Sequence, residues 1–173
     1  MNEDETPLPD LTADEMPENA EHLQLSLQEA FFLAWAVGCL TVRDSETGDV
    51  LELPYLWELC LQIPTYPDME RRFDNPFLVN YVAYHHFRSL GWVVKSGIKF
   101  CVDYLLYKRG PVFHHAEFAI VIIPSYSDEN DRETSPYHLP NSTPISWQWF
   151  STINRANAQV MKVHNLTLEP RKC

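Results

Sequence analysis

Residues 102–123 read VDYLLYKRGPVFHHAEFAIVII, two apolar runs separated by a polar segment that contains a Gly-Pro pair. The β-branched and aromatic residues of both runs favour strands, and the Gly-Pro pair favours a turn between them. The stretch therefore predicts a hairpin. Tyr107 and His115 lie eight residues apart on either side of this turn, so the hairpin is expected to bring them together.

Helices dominate the prediction for the chain before the hairpin. Ser26 and Glu29 form a capping-box pattern in front of a buried helix over residues 27–37, which Gly38 ends. Asn75, followed by a proline, predicts the start of another helix, which stops at Gly91. Between them the pattern predicts a strand pair near residues 40–42 and 50–53 and a helix from Pro54 to residue 61.

Strands are predicted on both sides of the hairpin in the second half of the chain. Residues 92–95 form a β-branched run before it, and residues 160–168 alternate well enough for a closing strand. Between the hairpin and that strand lie a polar, acidic loop over residues 124–145 and a helix that starts at Ser146 and runs to residue 157. Trp147 and Trp149 are expected to anchor this helix.

The fold class expected from this order is α+β or α/β. A small, mainly helical module at residues 22–90 is followed by an α/β module with a mixed sheet at residues 91–173. Residues 1–21 carry eight acidic side chains, three prolines and no lysine or arginine. We predict that they form a disordered tail.

Composition places the chain among globular proteins. Its 173 residues are 45% hydrophobic and 13% aromatic, which is enough to bury a core. No run reaches the roughly 18 apolar residues of a membrane span, and no signal peptide is recognisable, so an intracellular protein without membrane insertion is expected. The four cysteines are scattered without C-x-x-C spacing, which favours incidental thiols over a zinc site.

The chain has a net charge of −11, and its charged residues are distributed very unevenly along the sequence. Residues 1–90 hold 17 acidic and 4 basic side chains, whereas residues 91–173 hold 7 acidic and 9 basic ones. The hairpin thus lies in the more basic half. This footprint permits a local phosphate site, although partner proteins are expected to supply further phosphate contacts.

The residue types around the hairpin suit cleavage of RNA by its own 2′-hydroxyl group. That reaction needs a base for the hydroxyl proton, an acid for the departing 5′-oxygen and positive charge beside the transition state. His115 is the natural acid. Tyr107 is a candidate base, but a phenol with an ordinary pKa of about 10 needs nearby cations, which Lys108, Arg109 and Lys162 offer.

A metal-dependent nuclease is an alternative, because two carboxylates lie in or near the hairpin. Asp103 and Glu117 are acids of the kind that such enzymes use. Their usual Glu-x-Lys pattern is absent, because residue 119 is alanine. We therefore expect no metal and no other cofactor.

Each candidate residue is ordinary by itself. Tyr107 alone resembles any strand tyrosine, and Lys162 any lysine at a strand start. His114 competes with His115 as the acid, and strand alternation would send the two to opposite faces. His85 and His86, on the predicted helix after Asn75, are more often surface or packing residues.

Taken together, the motifs resemble those of the tRNA splicing endonucleases. The resemblance covers roughly residues 25–168, and is carried by YKRGP at residues 107–111, HAEF at 115–118, GWVVKSGIKF at 91–100 and the segment 155–162. In detail the chain is most similar to the eukaryotic catalytic subunit that cuts the 5′ splice site. The chain is shorter than that subunit, so an N-terminal extension is expected to be missing from it.

This resemblance implies a role for each residue. Tyr107 would be the general base, His115 the general acid and Lys162 the cation beside the transition state. Arg155 would stack on a splice-site base, an interaction with a cation–π rationale. The products would be a 2′,3′-cyclic phosphate and a 5′-hydroxyl.

The resemblance also implies partners and a fold family. A heterotetramer of two catalytic and two structural subunits would place the cuts by the shape of the pre-tRNA. The C-terminal module would have a restriction-nuclease-like sheet, whose last strand, at residues 163–168, pairs with a neighbouring subunit. The expected compartment is the nucleus, with the cytoplasmic face of the mitochondrial outer membrane as the alternative.

Two other functions remain open. A non-catalytic RNA-binding or assembly subunit would keep the fold but should have lost one of the three catalytic side chains, and here all three are present. An unrelated metal-independent ribonuclease would degrade unstructured RNA without partners.

Overall fold

The computed structural model describes residues 22–62, 72–126, 128–141 and 145–158, together with the backbone of residues 162–168. The helices and strands are α1 (Leu27–Phe31), α2 (Leu53–Leu61), α3 (Pro76–Ser89), β1 (Val93–Ser96), β2 (Tyr104–Tyr107), β3 (Phe118–Pro124), α4 (Glu129–Glu133), α5 (Trp147–Ala156) and β4 (Lys162–Leu168). A π-helical turn, Phe32–Val37, continues α1, and a 3₁₀ turn, Ile98–Phe100, follows β1. The predicted mixture of helices and strands is confirmed.

Local capping chemistry determines where the main helices begin. The Ser26 hydroxyl accepts a hydrogen bond from the Glu29 N–H at 3.2 Å, and the Glu29 carboxylate accepts one from the Ser26 N–H at 3.0 Å. Asn75 caps α3 and Ser146 caps α5 through their side-chain oxygens. These three predicted starts are confirmed.

Two predicted elements in the first half differ from the structure. The helix over residues 27–37 widens into a π-helical turn after Phe31, which brings both Phe32 and Trp35 against His85 of α3, with ring centroids 5.3 and 5.5 Å apart. The predicted strand pair is reduced to one bridge between Arg43 and Val50. No described third strand supports this ribbon, and two strands alone are marginally stable.

The prediction of a polar, acidic loop over residues 124–145 is wrong in part. The exposed helix α4 occupies the acidic stretch, but Tyr137 and Leu139 are buried in the main core. The Tyr137 hydroxyl accepts a 3.4 Å hydrogen bond from the Asn75 amide, which ties this segment to the start of α3.

The strands form one mixed sheet in the order β1-β2-β3-β4. β1, β2 and β3 pair antiparallel, and β4 pairs parallel with β3. The helices α1–α3 cover one face and form the main core with residues such as Val94, Leu106 and Ile120. α5 covers the other face, where a second core cluster consists of Val102, Leu105, Ala116, Ala119, Val121 and Ile153.

Neither a membrane-spanning helix nor a disulfide-bonded cysteine is found among the described residues. No helix in the described part of the chain is long and apolar enough to cross a bilayer. Cys39 and Cys101 are exposed free thiols, whereas Cys60 is buried in the main core. Burial raises the pKa of the Cys60 thiol.

Candidate active site

Tyr107 is the last residue of β2 and lies at one end of the sheet. Its register partner on β1 is Val93. The tyrosine is half-buried and packs against the second core cluster, on the face that α5 covers. The strand therefore fixes the tyrosine at the point where the chain leaves the sheet.

His115 lies in the loop 108–117, which joins β2 to β3. The side chain is exposed, but the chain on either side of it is anchored. Before it, Gly110 has a φ of 103°, which favours glycine, and accepts a 3.2 Å hydrogen bond from the Phe113 N–H. After it, Ala116 is buried and the Glu117 N–H donates to the Leu106 carbonyl at 2.8 Å.

His114 is also exposed, and strand alternation does not separate it from His115. We expected strand alternation to send them to opposite faces, but β3 begins only at Phe118. Both histidines therefore lie in the loop, where strand alternation does not apply. The choice of His115 rests on the motif rather than on the sheet.

Lys162 is the first residue of β4, and its backbone lies beside β3. Its register partner is Phe118, which in turn pairs with Leu106 of β2. Two strand spacings of about 4.8 Å place the Lys162 Cα roughly 10 Å from that of Leu106, the neighbour of Tyr107. The sheet thus brings Tyr107, the loop with His115 and the backbone of Lys162 to the same end.

Arg155 lies in the last turn of α5 and is exposed. Two residues earlier Ile153 packs into the second core cluster, so α5 lies over the same face as Tyr107. The helix end is tied to the sheet by Asn157, whose amide donates to the Phe100 carbonyl at 3.1 Å and to the Ile153 carbonyl at 2.9 Å. Among the described residues, no hydrogen bond or ion pair joins Arg155 to the loop 108–117.

The two cations after Tyr107 have different surroundings. The Lys108 Nζ atom lies 3.3 Å from the Glu117 Oε1 atom, so this lysine is already paired. Arg109 is exposed, and among the described residues no carboxylate lies within ion-pairing distance of it. Arg109 is therefore the freer of the two cations.

The two carboxylates that left a metal site open are far apart and already engaged. Asp103 lies before β2, at the opposite end of that strand from Glu117, and its Oδ2 atom accepts a 2.7 Å hydrogen bond from the Ile122 N–H. Burial raises the pKa of Asp103, against the lowering effect of the backbone hydrogen bonds. Within the described ranges, no three His, Cys, Asp or Glu side chains are grouped to hold a metal ion.

A large apolar cavity lies elsewhere, between the N-terminal helices. It has a volume of about 770 Å³, and its lining includes Phe31, Trp35, Trp57, Tyr81 and His85. Neither Tyr107 nor His115 lines it. Its apolar walls do not suit a phosphodiester, whereas the end of the sheet exposes Arg109 and His115.

Sequence reasoning missed two features of the site. The tip of the loop exposes Val112 and Phe113, which the pattern left as turn residues. Glu117 pairs with Lys108 rather than standing free, although opposite charges on either side of a predicted turn were a signal for this contact. The prediction that Trp147 and Trp149 anchor α5 is confirmed for Trp149, which packs against the second core cluster. It is wrong for Trp147, whose side chain is 84% exposed.

Comparison with known proteins gives consistent matches. The family described as "tRNA intron endonuclease, catalytic C-terminal domain" matches residues 77–171. The tRNA-splicing endonuclease subunit Sen2 of Gallus gallus is 39% identical over 142 residues, 82% of this chain and 26% of that protein. The same subunit of Mus musculus is 38% identical over 143 residues, with the same coverage.

A fungal relative gives a similar match. The probable tRNA-splicing endonuclease subunit sen2 of Schizosaccharomyces pombe is 39% identical over 157 residues, 83% of this chain and 38% of that protein. The chain therefore spans about a quarter to two fifths of the length of these relatives.

Proposed function

Because the chain belongs to the tRNA intron endonuclease family, whose catalytic domain it carries, we propose that it is the catalytic subunit that cuts pre-tRNA at the 5′ splice site. The register of the sheet is the observation that supports a catalytic role, and the resemblance of YKRGP at residues 107–111 to the 5′-cutting subunit supports the choice of site. Leu106, Phe118 and Lys162 are aligned across three strands. Tyr107 directly follows Leu106, and the loop that carries His115 ends directly before Phe118.

We propose that the reaction is a transfer of the phosphate to the neighbouring 2′-oxygen, without a metal ion. Tyr107, as the phenolate, takes the proton of the 2′-hydroxyl, whose oxygen attacks the adjacent phosphorus. His115, as the imidazolium, gives a proton to the departing 5′-oxygen as the P–O5′ bond breaks. Lys162 stabilises the negative charge on the non-bridging oxygens. The products are a 2′,3′-cyclic phosphate and a 5′-hydroxyl.

We further propose that the chain acts in an assembly with a second catalytic subunit and two structural subunits. β4 supports this, because it is the last strand of the sheet and only one of its edges pairs with a described strand. An open strand edge offers backbone groups that a strand of another chain can pair with. Arg155 and Arg109, both exposed, would contact the RNA.

The test is cleavage of an intron-containing pre-tRNA in EDTA by the chain assembled with its partner subunits. His115→Ala is expected to abolish the 5′ cut while the 3′ cut persists, and the new ends should be a 2′,3′-cyclic phosphate and a 5′-hydroxyl. His114→Ala is the matched control, because it removes the neighbouring exposed histidine of the same loop. It should leave the 5′ cut within about twofold, since it removes no group from the proposed acid–base step.

Three results would contradict the proposal. If His115→Ala still cuts the 5′ site, His115 is not the acid. If EDTA alone abolishes cleavage, the reaction depends on a metal ion. If the wild-type assembly cuts only the 3′ site, the chain is a non-catalytic subunit that binds RNA or partners.

A further inference from the structure

The loop between β2 and β3 carries two apolar side chains into solvent. Val112 is 88% exposed and Phe113 is 69% exposed. Neither belongs to the main core or to the second core cluster. Leaving a phenylalanine in water forgoes the free energy of its burial, so an exposed ring in an anchored loop is a candidate contact surface.

The backbone that carries Phe113 is held in place. Pro111 fixes one φ angle, and the Phe113 N–H donates to the Gly110 carbonyl. Gly110 and Ala116, at either end of this turn, are both buried. The ring is thus presented from a defined turn rather than from a free chain.

The charge of the loop indicates what the ring contacts. In the loop 108–117, Lys108 pairs with Glu117, whereas Arg109 is exposed and has no ion-pair partner among the described residues. Cations that hold phosphates beside an aromatic ring that stacks on a base are the usual means of binding unpaired nucleotides. The exposed Phe113 ring near the unpaired Arg109 therefore favours an unpaired nucleotide as the contact.

The distance between Phe113 and His115 indicates which nucleotide the ring contacts. Phe113 and His115 are two residues apart, so their Cα atoms lie within about 7 Å. A ring at this distance reaches a base beside the phosphate on which His115 acts.

We propose that Phe113 stacks on an unpaired base next to the scissile phosphate at the 5′ splice site and so positions that nucleotide for cleavage. This inference rests on the proposed function. Phe113 is a positioning residue, since it gives and takes no proton. The stacking surface belongs to the loop itself and is separate from Arg155 on α5.

The probe is an intron-containing pre-tRNA with 2′-deoxynucleotides at the cleavage positions of both splice sites. It carries 2-aminopurine at the nucleotide next to the scissile phosphate of the 5′ splice site. This RNA binds but is not cut by its own 2′-hydroxyl. Stacking on Phe113 should lower the 2-aminopurine fluorescence when the assembled complex binds. Phe113→Leu keeps an apolar side chain without a π face and should lose this quenching, whereas Phe113→Tyr should retain it.

Cleavage of the unmodified pre-tRNA provides the second readout. At subsaturating enzyme, Phe113→Leu should slow the 5′ cut by roughly five- to a hundred-fold, the range for loss of one base–aromatic stack. The 3′ cut should be unchanged. Val112→Ala, at the neighbouring and more exposed position, is the control and should stay within about twofold of wild type in both readouts.

Two results would overturn the inference. If Phe113→Leu quenches 2-aminopurine and cuts like wild type, the ring does not stack. If Phe113→Leu fails to assemble with the partner subunits, the tip is a protein interface. The two proposals fail separately, because a wild-type complex that leaves the 5′ site uncut refutes the proposed function, while the fluorescence of the uncut RNA still decides the stacking.

Discussion

Lys108 and Glu117 face each other across the two ends of the loop that carries His115, with the lysine Nζ atom 3.3 Å from the glutamate Oε1 atom. The lysine side chain is 68% exposed, so the pair contributes at most about 1 kcal/mol to stability. Its larger effect is on charge, because Glu117 offsets Lys108 in a loop where Arg109 remains unpaired among the described residues.

Arg109→Ala is therefore expected to weaken the binding of pre-tRNA more than Lys108→Ala. Loss of one phosphate contact should reduce the slope of log affinity against log salt by about 0.7–0.9. Binding of the assembled complex to pre-tRNA, measured over a range of salt concentrations, gives both slopes. In a Glu117→Gln background, Lys108→Ala should become as harmful as Arg109→Ala. Equal effects of the two substitutions with Glu117 intact would show that the ion pair does not matter for binding.

Asp103→Ala should destabilise the fold by about 1–3 kcal/mol, because it leaves the N–H of the buried residue Ile122 without its acceptor. Asp103→Asn keeps a carbonyl oxygen at that position, so it should cost less than about 1 kcal/mol at neutral pH. Urea unfolding of the three proteins measures both differences. If the two variants are equally unstable, the hydrogen bond to Ile122 is not what holds this corner of the sheet.

The stability difference between Asp103→Asn and the wild type should also depend on pH. Burial raises the pKa of Asp103 above its ordinary value of 3.8, so the folded protein favours the neutral carboxyl. The stability that this preference adds is present below pH 3.8 and is lost as the pH rises through the raised pKa. The free energy of unfolding of Asp103→Asn, relative to the wild type, should therefore increase over that window and stay constant above it. A difference that does not change with pH would contradict the raised pKa.

Gly97→Ala should destabilise the fold by about 1–3 kcal/mol, because there is no space for a Cβ atom. An added Cβ at residue 97 would lie 2.4 Å from the Val102 Cγ2 atom and 2.7 Å from the Val102 carbonyl oxygen. Val102 is buried in the second core cluster and cannot move aside freely. Ser96→Ala, at the adjacent exposed position, should change stability by less than about 0.5 kcal/mol. Thermal unfolding compares the two, and a stable Gly97→Ala protein would mean that the turn after β1 adapts.

Asn75→Ala should lower the free energy of unfolding by about 2–3 kcal/mol. The buried side chain caps α3, and its amide also donates to the Leu61 carbonyl at 2.9 Å and to the Tyr137 hydroxyl at 3.4 Å. Asn75→Asp keeps the cap but loses both donors, so its stability should fall between those of the alanine variant and the wild type. Urea unfolding of both variants separates the cap from the donors. Equal losses in the two would show that the cap itself contributes little.

The parts of the fold that could be predicted are those set by residues close in sequence. Ser26, Asn75 and Ser146 act within three residues of themselves, so their caps are visible in the chain. The β2–β3 hairpin is likewise marked by its own turn. Tyr137 and Leu139 were missed because they stand among prolines and polar residues, and only the distant contact with α3 shows that they are buried.

The candidate site divides in the same way. Tyr107 and His115 belong to one hairpin, so their proximity follows from local pattern. Lys162 is near them only because β4 pairs with β3, and nothing local to residue 162 indicates its partner. The hydrogen bond from Ile122 to Asp103 is equally non-local, which is why Asp103 could be mistaken for a metal ligand.

The parallel pairing of β4 with β3 has a consequence for the nascent chain. Phe118 and Lys162 are register partners 44 residues apart, and at 5–20 residues per second the ribosome needs about 2–9 s to add that length. The hairpin that holds the proposed acid and base is therefore already translated while the proposed cation is still unsynthesised. A complete set of the proposed catalytic groups exists only once β4 has been added.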